Sequence, residues 1–169
     1  MNKRVYFDTS AVIKEFVPEI GSDLVDDTTN ATRSGNLQIY TSIWSINEAV
    51  AVVDRLTRKP VNPVSIVEQQ QIIATFVQRI RDSGEHASYR IAPIEHVMIT
   101  ESRLLIDQLH ISADDALHIY TGWIYDCAYF FIHDKKIVKR LKEASIQGMT
   151  VIDLGDQKDR AVARSQLCL

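Results

Sequence analysis

Four acidic residues in this chain have the type and spacing to do chemistry: Asp8, Glu48, Asp115 and Asp134. Asp8 ends the apolar run Val5-Tyr6-Phe7, and Asp134 follows the run Tyr129-Phe130-Phe131-Ile132 after one intervening residue, His133. In an open α/β sheet the functional crevice lies beyond the carboxyl ends of the strands. These two acids are therefore placed to converge there. Glu48 and Asp115 fall at the edges of apolar stripes with helical spacing, in position to join them. Two unit charges roughly 4 Å apart repel by about 4 kcal/mol at an effective dielectric near 20. Gathered carboxylates therefore hold protons, or spread apart, until a cation joins them. A hard cation that takes oxygen ligands, Mg²⁺ or Mn²⁺, is the natural partner.

Each acid taken singly has a plainer reading. Asp8 or Ser10 serves as the cap of a first helix, and Asp134 before Lys135-Lys136 serves as another. Ser112-Ala113-Asp114-Asp115 fits a capping box in which Asp115 reaches back to the backbone, and His118 stands three residues on, at ion-pairing distance along a helix. Glu48 resists such a reading. Its neighbours one turn away are Trp44, Ser45, Ala51 and Val52, none of them cationic. The set of four, two after strands and two on helix edges, says more than any one of them.

The elements that must position these residues alternate in period. A strand is expected at 3–8, a short helix from Ser10 to Val17 ended by Pro18, and a helix from Ser22 to Arg33 stopped by Gly35. Leu37–Tyr40 reads as a strand. Ile46, Ala49, Val50, Val53 and Leu56 mark a helix from Ile43 to Arg58. Asn62-Pro63 reads as a cap followed by proline in the first helical position, with that helix running to Asp82 and stopping at Ser83-Gly84. A strand at Tyr89–Ala92, helices at Glu95–Leu109 and from Ser112 to Tyr125, a strand at Ala128–Ile132, a helix from Asp134 to Ser145 and a strand at Met149–Asp153 complete the pattern. It predicts an α/β fold with a central, mainly parallel sheet and helices on both faces. The expected organisation is one domain over residues 1–153 and a tail over 154–169, either a short helix or without fixed structure.

Composition sets outer limits. With 169 residues, 46% of them apolar, the chain can bury a sizeable core. Cys127 and Cys168 provide neither a disulfide framework nor metal-ligand spacing, which points to a reducing cytoplasm. No apolar run approaches the roughly 20 residues of a membrane span. A net charge of −3 argues against a protein that coats nucleic acid over its whole surface, but permits a local basic patch beside an acidic site.

The motifs resemble PIN-domain ribonucleases of the VapC toxin type. The resemblance is carried by Asp8-Thr9-Ser10-Ala11 with Lys14 and Pro18-Glu19-Ile20-Gly21-Ser22, by Thr41–Ala49 around Glu48, by Ile111–His118 around Asp115, and by Phe130–Lys136 around Asp134. It extends over about residues 4–153. It implies a three-layer α/β/α fold, Mg²⁺- or Mn²⁺-dependent cleavage of RNA, a homodimer, and a small antitoxin partner that places an arginine near the acids. Asp8, Glu48, Asp115 and Asp134 would hold the metal directly or through water, and Ser10 would support them. Water activated by the metal would leave 5′-phosphate and 3′-hydroxyl ends.

Several residues depart from the pattern or extend it. Ile132 stands where the family usually has Thr or Ser, whose hydroxyl supports the metal shell. Such losses typically cost about 10–100-fold in affinity or activity. Asp114 reads as an exposed acid favoured by the helix dipole, His133 as facing solvent, and His118 as structural. Lys135, Lys136, Lys139, Arg140 and Lys142 form a basic stretch suited to RNA phosphates, and Arg55, Arg58 and Lys59 extend the glutamate helix. Lys14 faces either the site or the surface. The segment Lys59–Ser88 is long for a minimal toxin, leaving it available to a dimer or partner surface. Two other classes compete with the ribonuclease: a PIN-like module that binds RNA or protein without cutting, and a metal-dependent DNA nuclease. A dehalogenase-like phosphatase would need an acid two residues after Asp8, where this chain has Ser10.

Overall fold

A computed structural model describes residues 2–59, 61, 63–82, 89–144, 146 and 148–169. Five strands, β1 (Lys3–Phe7), β2 (Leu37–Ser42), β3 (Tyr89–Ala92), β4 (Tyr129–Ile132) and β5 (Thr150–Asp153), form one sheet in the order β3-β2-β1-β4-β5. Every pairing is parallel. Strands of a parallel sheet are buried on both faces and read as near-continuous apolar runs, which is how Val5-Tyr6-Phe7 and Phe130-Phe131-Ile132 read. Alternate residues then serve two cores. Val5, Phe7, Ile39, Phe131 and Ile152 face one layer of helices, α1 (Thr9–Ile13), α2 (Ser22–Ala31), α3 (Trp44–Thr57), α4 (Ile66–Asp82) and α8 (Gln157–Leu167). Tyr6, Tyr40, Phe130, Ile132 and Val151 face the other, α5 (His96–Leu109), α6 (Ala113–Ile124) and α7 (Lys135–Ala144). This is the three-layer α/β/α, PIN-like architecture.

The chain leaves β1 toward β2 and β3, then returns to lay β4 on β1's other edge. The strand order therefore reverses beside β1, and the crevice opens beyond the carboxyl ends of β1 and β4. Gly21, with φ of 92°, keeps the α1–α2 connection close to that end of the sheet. A Cβ there would lie 2.5 Å from the Leu154 carbonyl oxygen.

Several element boundaries differ from expectation. The first helix begins at Thr9, because Asp8 caps it, and ends already at Ile13, after which Lys14, Glu15 and Phe16 make i→i−3 turn bonds. The second ends at Ala31 and continues as a 3-10 turn over Thr32–Ser34 before Gly35. Helix α4 begins at Ile66 instead of Pro63. Its start is a capping box in which Ser65 N–H donates to Glu68 Oε2 at 2.8 Å and Glu68 N–H to Ser65 Oγ at 3.2 Å. Asn62 and the Ser83-Gly84 stop lie outside the described residues. The C-terminal segment takes the helical reading. Asp156 caps α8, and Ala163 and Leu167 pack into the core. Among the described residues no helix is long and apolar enough to cross a membrane.

Candidate active site

A cleft of about 590 Å³ opens at the carboxyl ends of β1 and β4, and all four predicted acids, Asp8, Glu48, Asp115 and Asp134, line it. Glu19 and Asp114 add two more carboxylates, Thr9, Ser10, His118 and His133 add polar side chains, and Arg55, Ile13, Ala51 and Val52 complete the wall.

On the strand side, local backbone geometry does the positioning. Asp8 leaves β1 and caps α1: its Oδ1 accepts from Ala11 N–H at 2.9 Å and from Ser10 Oγ at 2.6 Å. The Ser10 oxygen in turn accepts from His133 N–H at 2.7 Å. One hydroxyl thus ties the ends of β1 and β4 together. Asp134 caps α7, its Oδ1 accepting from Lys136 N–H at 2.8 Å and Ile137 N–H at 3.1 Å.

On the helix side, residues distant in sequence do it. Glu48 projects from α3, and its Oε2 meets His118 Nε2 at 2.7 Å and accepts a short hydrogen bond from the Thr9 hydroxyl. His118 is buried, and its Nδ1 lies 2.8 Å from the Tyr6 hydroxyl. The expected pairing of His118 with Asp115 along the helix is replaced by this contact across helices. Asp115 stands at the start of α6, where its N–H donates to Ser112 Oγ at 3.1 Å and its Oδ2 accepts from the same hydroxyl at 2.6 Å. The capping box is present, except that the carboxylate takes the serine hydroxyl and not the backbone.

Across these bonds each acid commits one oxygen and keeps the other. Asp8 Oδ2, Glu48 Oε1, Asp115 Oδ1 and Asp134 Oδ2 have no hydrogen-bond partner among the described residues. None of the four is among the buried unpartnered atoms, and all four side chains line the cleft. Among the described residues no three acidic, histidine or cysteine groups stand close enough to hold an ion as they are placed. Burial lifts the Asp8 carboxyl from 3.8 to about 6, against the Ser10 and Ala11 hydrogen bonds and the His118 charge that pull it down. Burial acts on Glu48 too, but the hydrogen bond and charge of His118, with Thr9, leave it below its ordinary value. The donor chemistry is of the kind a hard divalent cation takes, with carboxylates from four elements lining one cleft without closing into a ligand set.

The basic residues divide between the cleft wall and its surroundings. None of the α7 cations lines the cleft. Lys142 is bound to Asp159 at 2.6 Å, Lys139 lies 3.8 Å from Glu143, and Arg140 donates to the His110 carbonyl. Lys135 and Lys136 lie exposed at the helix start. The cleft's own arginine is Arg55, on the same face of α3 as Glu48, Ala51 and Val52. Arg58 pairs with Asp54 instead. Lys14 faces away from solvent and toward Glu19, a carboxylate of the cleft wall. Its side chain is fully buried and its Nζ meets Glu19 at 2.5 Å. Ile132 is buried in the α5–α7 core, so position 132 provides no hydroxyl to the site. Asp114 is exposed and accepts from Trp44 Nε1 at 3.2 Å.

Sequence reasoning passed over Thr9 and gave His118 a purely structural place. Thr9 lies inside the first motif, and the uncompensated Glu48 was the signal that a partner had to come from elsewhere in the fold. Neither a protein-family model nor a curated protein sequence matches the chain. Solved structures similar in fold include two at low sequence identity. One is a toxin–antitoxin complex from Klebsiella pneumoniae, 14% identical, with a TM-score of 0.56 over 86% of this chain and 95% of that one. The other is FitAcB from Neisseria gonorrhoeae, 13% identical, with a TM-score of 0.58 over 89% of this chain and 97% of that one. At such identities the likeness is one of fold: the three-layer α/β chain described above is similar, over nearly its whole length, to a chain of a toxin–antitoxin complex.

Proposed function

We propose that the chain is a divalent-metal-dependent endoribonuclease, acting as the toxin of a toxin–antitoxin pair. The observation that carries this is the division of labour within each carboxylate: one oxygen of Asp8, Glu48, Asp115 and Asp134 is spent on the fold and the other is left at one cleft. Those four free oxygens would hold Mg²⁺ or Mn²⁺, directly or through water. When bound, the ion supplies activation of water and neutralises charge building on a phosphate. The chain's own residues do the rest. Asp8 and Asp134 are held by the backbone of α1 and α7, Ser10 keeps the two strand ends together, and Glu48 is held by His118 and Thr9. Arg55 faces the cleft as the cation for a neighbouring phosphate.

The fold similarity to a toxin–antitoxin complex supports a small protein partner. Such a partner's arginine would pair favourably with these carboxylates and compete with the metal. A homodimer belongs to the same reading. Labelled RNA and DNA incubated with Mg²⁺, Mn²⁺ or chelator test the proposal. RNA cleavage that needs the metal and leaves 5′-phosphate and 3′-hydroxyl ends is the expected result. A 2′,3′-cyclic phosphate product contradicts it, and cutting of DNA alone moves the reading to a DNA nuclease. The burial of Ile132 favours a second reading, a module that binds RNA or protein without cutting. Tight RNA binding with no cleavage under any metal would establish that one.

A further inference from the structure

His118 is the cleft residue whose place in the fold is most specified. It comes from the first two turns of α6, and α6 lies close to the sheet because Gly122, one turn later, presents no side chain: a Cβ there would be 3.2 Å from the Tyr6 ring and 3.3 Å from Phe130. This approach brings the buried His118 ring to the buried Tyr6 hydroxyl at 2.8 Å. The Tyr6 oxygen also accepts from Ser42 N–H at 3.0 Å, at the end of β2. With that lone pair engaged, the tyrosine proton is directed to Nδ1 of a neutral ring, which leaves the hydrogen on Nε2. Nε2 carries a hydrogen in the doubly protonated ring as well. In either state it donates to Glu48 Oε2, 2.7 Å away. Thr9 donates to the same oxygen. Two donors on one oxygen fix the plane of the carboxylate and leave Oε1 as the atom presented to the cleft.

We infer that His118 is a positioning residue: anchored by Tyr6 on β1, it holds Glu48 so that Oε1 is presented as a metal ligand. The inference rests on the metal-site reading above. It differs from a packing role because packing does not require a hydrogen bond to one particular oxygen of Glu48. Partners that orient ligands in this way typically cost about 10–100-fold in metal affinity when removed.

The test is a calorimetric titration of Mn²⁺ into the wild type, His118→Ala, His118→Gln and Tyr6→Phe, with melting temperatures measured in chelator. His118→Ala is expected to weaken Mn²⁺ binding about 10–100-fold, and His118→Gln, whose amide N–H can still reach Glu48, to recover it to within about threefold of wild type. Tyr6→Phe keeps the ring stacked on Phe130, 5.2 Å between centroids. It loses the anchor and is expected to fall between the two. Lower melting temperatures with wild-type affinity in His118→Ala would overturn the inference and leave a packing role. So would wild-type affinity in Tyr6→Phe should the alanine variant fail to fold, or a glutamine variant as weak as alanine. A wild type that binds no Mn²⁺ would instead overturn the metal-site reading, and this inference with it.

Discussion

The two sides of the cleft hold their acids by different means. On the strand side, Asp8 and Asp134 are gripped by backbone N–H groups of the helices they begin, within three residues of themselves. On the helix side, Glu48 is gripped by side chains 39 and 70 residues away in sequence, Thr9 and His118. The consequence for charge is opposite. A capping bond and a serine hydroxyl do not offset the burial of Asp8, which is lifted to about 6. The imidazole and threonine do offset the burial of Glu48, which is lowered. Below about pH 6 a metal arriving at this site would displace a proton from Asp8 and meet a ready carboxylate at Glu48. Sites whose carboxylates are pushed apart in this way assign different tasks to like residues.

The comparison breaks most visibly with amide substitutions. Asp→Asn retains a carbonyl oxygen for the cap and removes the charge from the oxygen facing the cleft. Asp8→Asn, Asp115→Asn and Asp134→Asn should therefore each fold normally and cut RNA at least about a hundredfold more slowly, since even orienting groups around a metal are worth 10–100-fold. Single-turnover cleavage rates, with circular dichroism to confirm the fold, check this. Near-normal turnover in any one removes that residue from the set.

The difference in charge sharpens with pH. The folded state prefers the protonated form of Asp8, so its contribution to stability is present below pH 3.8 and lost as pH rises through about 6. Glu48 runs the other way: its contribution is present above its ordinary value of 4.5 and lost as pH falls through the lowered one. In chelator, Asp8→Asn should gain stability relative to wild type between pH 4 and pH 7, by about 1–3 kcal/mol. Denaturant titrations at both pH values measure it, and a flat difference would mean that Asp8 is not the strained acid. For the same reason Mn²⁺ affinity should weaken by up to about tenfold per pH unit below about 6, as metal and proton compete for Asp8.

A smaller effect separates the two groups of cations. Arg55→Gln should raise KM for RNA about three- to tenfold and lower the salt slope by about one, with Mn²⁺ affinity unchanged. Lys135→Gln and Lys136→Gln, on α7 and away from the cleft wall, should each change KM by less than about twofold. The reverse order would return the RNA path to α7. A change of similarly small size is expected at Asp114, whose Trp44 hydrogen bond is exposed. Asp114→Asn should alter the cleavage rate by less than about threefold, well under the loss typical of groups that orient metal ligands.

The strand side was largely legible in the sequence because its signals are local. An acid after an apolar run, followed by helix-forming residues, states both the strand end and the cap, and Asp8 and Asp134 sit where that reading puts them. The mainly parallel sheet followed from strand and helix periods that alternate along the chain. What escaped were contacts made by folding. Glu48 shows no partner at helical spacing, and its partner His118 reaches it only because Gly122 lets α6 approach β1. Nor does charge pattern on α7 reveal contacts made across elements, Lys142 with Asp159 and Arg140 with the His110 carbonyl. The start of α4 was missed because Asn62-Pro63 mimics a cap while Ser65 and Glu68 form the true one.

The central claim is that the oxygens left over from the fold make a divalent-metal site. Calorimetric titration of Mn²⁺ into wild type and Asp8→Asn at pH 7.5 addresses it most directly, because the variant keeps the cap and loses only the free anionic oxygen. The account predicts saturable binding to wild type, at least about tenfold weaker in the variant, with metal-free folding intact in both. Equal affinity in the two proteins would contradict it.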